Sequence, residues 1–186
     1  LDPLATGVLP IAIGEATKVI SFIQDQKKRY SFKIKWGEST ETDDMEGEIL
    51  AKSEYRPTRQ EIIKTLGCFV GNILQKPPIY SAIKINGQRS YKLARKKIQV
   101  DHKYRPVKIY DLILKNIINI NSAEFEVKCG KGTYVRSLAR DIAEQLNTKG
   151  HIISLRRLSV GPFDEKDKIF IELDNLEIVS VFIGSV

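Results

Sequence analysis

Lys28-Arg29-Tyr30-Ser31-Phe32-Lys33-Ile34-Lys35-Trp36 alternates without a break. Tyr30, Phe32, Ile34 and Trp36 fall on one face; Arg29, Ser31, Lys33 and Lys35 fall on the other. An extended chain points successive side chains to opposite sides, so a period of two predicts a half-buried strand. Downstream, Val107 to Ile120, Glu124 to Cys129 and His151 to Leu158 also read as strands. Thr133 to Leu146 is the clearest helix. Its residues Val135, Leu138, Ala139, Ile142, Ala143 and Leu146 recur at helical spacing and form one apolar stripe.

The remaining segments are shorter. Gly7 to Ile13 reads as a short buried strand, and Glu15 to Gln24 as a helix with Ala16, Val19, Ile20 and Ile23 at helical spacing. The acidic stretch up to Gly47 is expected to be a loop, with a second strand near Glu48 to Ala51. Thr58 can cap a helix that runs to Leu66 and stops at Gly67. Lys76, Pro77, Pro78 and Ile79 form a stiff extended segment leading into Ser81 to Ile85, and Asn86-Gly87 signals a hairpin turn. Ser90 to Lys97 reads as a short basic helix, and the tail after Phe163 is acidic. Strands outnumber helices and several are linked by hairpins. The expected fold class is therefore α+β, a mixed α/β arrangement with a largely antiparallel central sheet and flanking helices.

A chain of 186 residues is long enough to bury a proper core and fits a single domain. The uncharged apolar run Val8 to Gly14 is too short to cross a membrane and contains Pro10. No secretory signal pattern is present, so the cytoplasm is the expected compartment. Cys68 and Cys129 stand far apart, and with only His102 and His151 a zinc site would lack ligands. Both cysteines are expected to be free thiols. The chain opens at Leu1 and its only methionine is Met45, so it is expected to be a fragment, truncated at its N-terminus.

The formal net charge is +7, and its distribution says more than its sum. Between Ala82 and Lys108 nine basic residues face a single acid, Asp101. Further basic groups gather at Lys27 to Lys35 and at Lys128 to Arg140. Glu38, Glu41, Asp43, Asp44, Glu46 and Glu48 crowd one turn. Basic surface interleaved with Tyr80, Tyr91, Tyr104 and Tyr110 suits a phosphate-backbone ligand. A solvated lysine-rich face would leave the same trace.

Taken singly, the candidate site residues have ordinary explanations beside the chemical ones. Asp2, before Pro3 in a glycine-flanked loop, fits a turn residue or a helix cap as well as a catalytic carboxylate. Tyr30 lies on the apolar face of its strand and fits a core aromatic. Arg136 lies off the apolar stripe of its helix and shares a face with Arg140, as an exposed helix arginine would. Tyr134 and Leu155 could both be packing residues.

Four segments taken in order change the weighting. They are Leu1-Asp2-Pro3-Leu4-Ala5-Thr6-Gly7-Val8-Leu9-Pro10; Lys28-Arg29-Tyr30; Gln75 to Lys84, continuing through Gly87, Tyr91, Ala94 and Arg95; and Gly130-Lys131-Gly132-Thr133-Tyr134-Val135-Arg136, followed by Leu155-Arg156-Arg157. Their order and spacing resemble the bacterial type of the TruB family of tRNA pseudouridine synthases, over nearly the whole chain. The resemblance implies a pseudouridine synthase catalytic fold in a single domain over residues 1–186. It implies an isomerase that converts the T-loop uridine of tRNA to pseudouridine without metal, cofactor or guide RNA. Asp2 matches the family's nucleophile in its LDPxATG motif. Arg136 matches the arginine that pairs with it, which would keep the carboxylate ionised and aimed. Tyr30 would stack under the everted uracil, offsetting part of its lost stacking, and is a candidate base for a sugar proton.

The same resemblance places Tyr134 and Leu155 in the pocket. Lys84, Tyr91 and Arg95, together with Lys131, would contact RNA through its backbone, so that the shape of the T arm decides recognition. The protein is expected to act as a monomer with tRNA as its partner and no membrane. Family members carry a Gly-His pair a few residues before the aspartate and an RNA-binding extension after the catalytic domain. Neither is visible here. Two rival readings stand beside this one. The guide-RNA-dependent dyskerin-like synthases share the LDP-x-x-TG core, although Val8 to Lys18 looks bacterial and stand-alone. A non-catalytic RNA chaperone could keep the fold without turnover.

Overall fold

The computed structural model describes residues 2, 4–12, 14–85, 87–167, 171–173 and 176–178. β2 (Lys28–Trp36) runs through the middle of a seven-stranded sheet. It pairs antiparallel with β9 (Ser122–Cys129) on one side and with β10 (Gly150–Val160) on the other. Beyond β9 come β8 (Arg105–Asn119) and then β5 (Gly71–Gln75), both antiparallel. Beyond β10 lies β1 (Ala5–Gly7), the one parallel neighbour, and β11 (Phe163–Asp164) also pairs with β10. The expected mixed α+β architecture with a mostly antiparallel sheet is what the chain adopts.

Alternation in β2 works as its pattern requires. Phe32, Ile34 and Trp36 are buried, and Phe32 and Trp36 both pack on Phe125 of β9. On the opposite face Ser31 donates to Glu124 (3.1 Å) and Arg29 pairs with Glu126 (3.6 Å), a polar ladder facing water. The apolar face is covered by α4 (Val135–Gln145) and α2 (Arg59–Leu66). The α4 stripe lies fully inside: Leu138, Ala139, Ile142 and Ala143 have no exposed surface. Complete burial of such side chains stabilises by about 1.5–3 kcal/mol for each large aliphatic. Thr58 caps α2 in a reciprocal capping box with Glu61, as its position predicts.

Several local expectations are corrected. No strand spans Gly7 to Ile13. β1 ends at Gly7, whose positive φ of 101° turns the chain, and Leu9 and Ile11 are exposed; Ile13 lies outside the described residues. Glu15 to Gln24 is not one α-helix. A 3-10 segment (Gly14–Val19) precedes α1 (Ile20–Gln24), and the Thr17 hydroxyl donates to the Gly14 carbonyl, an i−3 bond that suits the tighter winding. Of the expected stripe, Ala16, Val19 and Ile20 fall outside the described side chains. The acidic stretch is not all loop, because β3 (Glu38–Thr40) pairs with β4 (Ile49–Lys52).

The hairpin signal led by Asn86-Gly87 corresponds to β6 (Lys84–Ile85) and β7 (Gln88–Arg89), with Asn86 itself outside the described residues. The basic helix is α3 (Ser90–Arg95), and β12 (Ile171–Leu173) pairs with β13 (Leu176–Ile178). Cys68 and Cys129 are free thiols. No helix among the described residues is long and apolar enough to cross a membrane.

Candidate active site

A cleft of about 560 Å³ opens where the turn before β1, the N-terminus of α4 and the acidic turn meet the segment before β6. Each functional side chain reaches it for a local reason. β1 lies parallel to β10, with Ala5 beside Leu155 and Gly7 beside Arg157. That approach requires glycine: a Cβ on residue 7 would sit 2.1 Å from the Arg157 carbonyl oxygen. The turn before β1 closes through the Ala5 amide, which donates to the Asp2 carbonyl at 2.9 Å, and it delivers the Asp2 carboxylate to the cleft.

Arg136 enters from the first turn of α4. It is only 6% exposed, which overturns the alternative of a solvated helix arginine. Its Nε donates to Asp2 Oδ2 at 2.7 Å. Nη1 donates to the Thr42 carbonyl (2.9 Å) and to Asp44 Oδ2 (3.2 Å), and Nη2 to the Tyr80 carbonyl (3.0 Å). Asp44 is held in turn: its Oδ1 accepts from the Thr42 hydroxyl at 2.5 Å and from the Glu46 amide at 3.0 Å. Two carboxylates thus share one guanidinium. Both line the cleft, the Asp44 side chain only 5% exposed and that of Asp2 33% exposed. Charge-assisted bonds of this length fix the orientation of both carboxylates.

The walls mix aromatic and apolar side chains with charged and polar ones. Tyr30 packs against the core and also lines the cleft. Burial raises the Tyr30 phenol above its ordinary value, while Arg157, which hydrogen-bonds to it, pulls the other way. Arg157 is itself anchored, with Nε donating to the Val8 carbonyl at 2.7 Å. Tyr134 and Leu155 line the same space. The Tyr134 amide donates to Gln75 Oε1 at 2.8 Å, which ties the start of α4 to β5. Cys129 is no competing nucleophile, since burial pushes its thiol up to about 11.

Of the residues singled out from sequence, the fold brings Asp2, Tyr30, Arg136, Tyr134, Leu155, Tyr91 and Arg95 to one cleft. Lys84 and Lys131 do not line it. Lys84 is exposed in β6, and Lys131 pairs with Asp25 at 3.0 Å. Sequence reasoning missed Asp44, Thr42, the Tyr80 carbonyl and Arg157. Asp43 and Asp44 look like their exposed neighbours Glu41, Glu46 and Glu48, yet they are 8% and 4% exposed. Nothing in the local pattern separates them. A carboxylate beside an open pocket can attack or stabilise an electron-poor carbon, and aromatic side chains in its lining offer faces on which a planar ring can stack.

Residues 1–135 match the model of the TruB family pseudouridylate synthase N-terminal domain. The chain belongs to the TruB family. Residues 136–183 match the tRNA pseudouridylate synthase B C-terminal domain. The two matches meet inside α4, a helix packed on the central sheet, so their boundary falls within one continuous layer of the fold. A tRNA pseudouridine synthase B from Bradyrhizobium diazoefficiens is 55% identical over 95% of this chain and 51% of its own length. One from a Caulobacter species is 49% identical over 95% of this chain and 57% of its own. The chain therefore spans about half the length of the curated relatives it matches. Among solved structures, a Cbf5-Nop10-Gar1 complex contains a chain that matches with a TM-score of 0.66 and 28% identity. That match covers 89% of this chain and 40% of the other.

Proposed function

We propose that this chain isomerises the T-loop uridine of tRNA to pseudouridine, with Asp2 as nucleophile. The observation that carries the reading is the 2.7 Å contact between Asp2 and Arg136 in a cleft walled by Tyr30, Tyr134 and Leu155. The family membership supports it independently. In the reaction the N1–C1′ bond breaks, the uracil rotates, and C5 bonds to C1′; the proton leaving C5 is balanced by one gained at N1. Asp2 assists by attack on the sugar or the base. Arg136 holds the carboxylate aimed at the cleft. Tyr30 stacks on the everted base, which must leave its RNA stack to react, and its hydroxyl is a candidate base for a sugar proton. Tyr91 and Arg95 hold the RNA at the rim, with Lys84 and Lys131 farther out on its backbone.

We take residues 1–186 as one catalytic domain acting as a monomer in the cytoplasm, on tRNA alone. The test is tritium release from an unmodified tRNA transcript labelled at uridine C5. The parent chain should release tritium from one uridine without any guide RNA. Asp2→Ala should release none while binding the transcript with an affinity within about threefold of the parent. Release by Asp2→Ala ends the nucleophile assignment. A parent that binds without release leaves the chaperone reading, and release only with an added guide RNA leaves the dyskerin-like one.

A further inference from the structure

One turn beyond Arg136, α4 carries a second arginine wired in the same sense. Arg140 Nη1 donates to Asp43 Oδ2 at 2.8 Å, and Nη2 donates to the Lys76 carbonyl at 2.8 Å. Its remaining edge meets the Asp141 carboxylate, at 3.0 Å from Nε and 2.9 Å from Nη2. Arg136 makes the parallel pair of contacts, to Asp44 and to the Tyr80 carbonyl. Two consecutive side chains of the acidic turn therefore meet two arginines spaced i, i+4. Both arginines also reach across to the segment 76–80, whose last residue, Tyr80, lines the cleft. Residues four apart on a helix share a face, so the helix presents the two forks as successive rungs.

Neighbouring side chains on an extended strand point apart, so this arrangement needs an irregular backbone. Asp43 supplies it with a φ of +59°, a left-handed conformation uncommon for residues other than glycine. The turn is pinned there: the Asp43 amide donates to the Thr40 carbonyl (3.3 Å) and the Ile152 amide donates to the Asp43 carbonyl (3.1 Å). The Asp43 and Arg140 side chains are 11% and 21% exposed, and neither lines the cleft. An ion pair this buried contributes little net stability, because desolvation offsets most of the attraction. Burial indeed pushes the Asp43 carboxyl up to about 6, with Arg140 and Arg136 pulling it down and Asp141 raising it. What such a pair supplies is geometry.

We infer that Asp43 and Arg140 are positioning residues for the isomerisation: their pair sets the acidic turn and the Lys76-to-Tyr80 segment against α4, and so orients the Arg136 guanidinium that aims Asp2. This inference rests on the isomerase reading above. Its test uses the full chain as Asp43→Asn, Arg140→Gln and the double variant, with three measurements. These are the single-turnover rate on unmodified tRNA transcript, the Kd for that RNA, and the NMR signal of the Arg136 Nε–H in the free protein. Each single variant should slow the single-turnover step about 10- to 100-fold, the scale of a misaligned reacting group. The Kd should stay within about threefold, and the double variant should be no slower than the worse single one, as for residues acting as a unit.

The Arg136 Nε–H signal should shift in all three variants well below their melting temperatures. Rates within about twofold of the parent and an unmoved signal, even alongside a lower Tm, overturn the inference and leave a purely structural pair. A parent chain that makes no pseudouridine sinks the isomerase reading instead. In that case the Arg136 signal alone decides whether the second pair orients the first.

Discussion

Replacing Arg136 by methionine keeps the volume of the side chain and removes its charge and its fork of donors. Asp44, whose side chain is 5% exposed, then keeps its bonds from Thr42 and Glu46 but loses its cation. Removing one partner of a buried ion pair costs about 3–5 kcal/mol, because the other charge stays desolvated and unpaired. Asp2, with its side chain a third exposed, adds about 1 kcal/mol or less, since water takes over from the guanidinium. For a chain of this size each kcal/mol lowers Tm by roughly 2–4 °C, so a drop of roughly 6–24 °C is expected. Urea melts and calorimetry read both quantities. Adding Asp44→Asn to the Arg136→Met background removes the stranded charge and should restore about 1–3 kcal/mol. An Arg136→Met chain that loses under about 1 kcal/mol, or one that Asp44→Asn destabilises further, would refute the account of a shared buried cation.

Gly7→Ala places a Cβ 2.1 Å from the Arg157 carbonyl oxygen at a φ of 101° and should detach β1. The expected signs are a loss of about 1–3 kcal/mol in a urea melt, faster hydrogen exchange at the amides of Ala5 and Val8, and little turnover. Asp43 ties stability to pH. Its folded carboxyl is raised from the ordinary 3.8 to about 6, so between those values the folded state holds a proton that the unfolded chain lacks. Stability from this group is fully present below about 4 and is lost as pH rises through 6. Relative to Asp43→Asn, the parent should lose on the order of 2–3 kcal/mol between pH 4 and pH 7 in urea melts. Leu138→Ala, in the fully buried α4 stripe, should cost about 2–5 kcal/mol by the same measurement.

The elements that periodicity revealed are those in which one face is wholly dry. β2 and α4 followed their patterns because Phe32, Ile34, Leu138 and Ile142 have no alternative place to go. β3 was hidden because Glu38 and Ser39 are half-buried and carry no alternating apolar signal. β1 was misplaced because only three residues pair, and pairing there is set by Gly7 touching Arg157, a partner 150 residues away. Asp2, Tyr30 and Arg136 could be named as a set only through the resemblance; singly, each had an ordinary structural explanation.

Local order alone accounts for the half-buried strand at Lys28 to Trp36, the amphipathic helix before Leu146 and the family pattern carried by the four segments. Burial of Asp43 and Asp44 could not be read there, since both look like solvated acids until α4 is laid over them. Their two arginines, Arg136 and Arg140, come from 92 and 97 residues farther along the chain. A carboxylate stays buried only where a cation and donors surround it. That surrounding arises when the sheet and helix close around it.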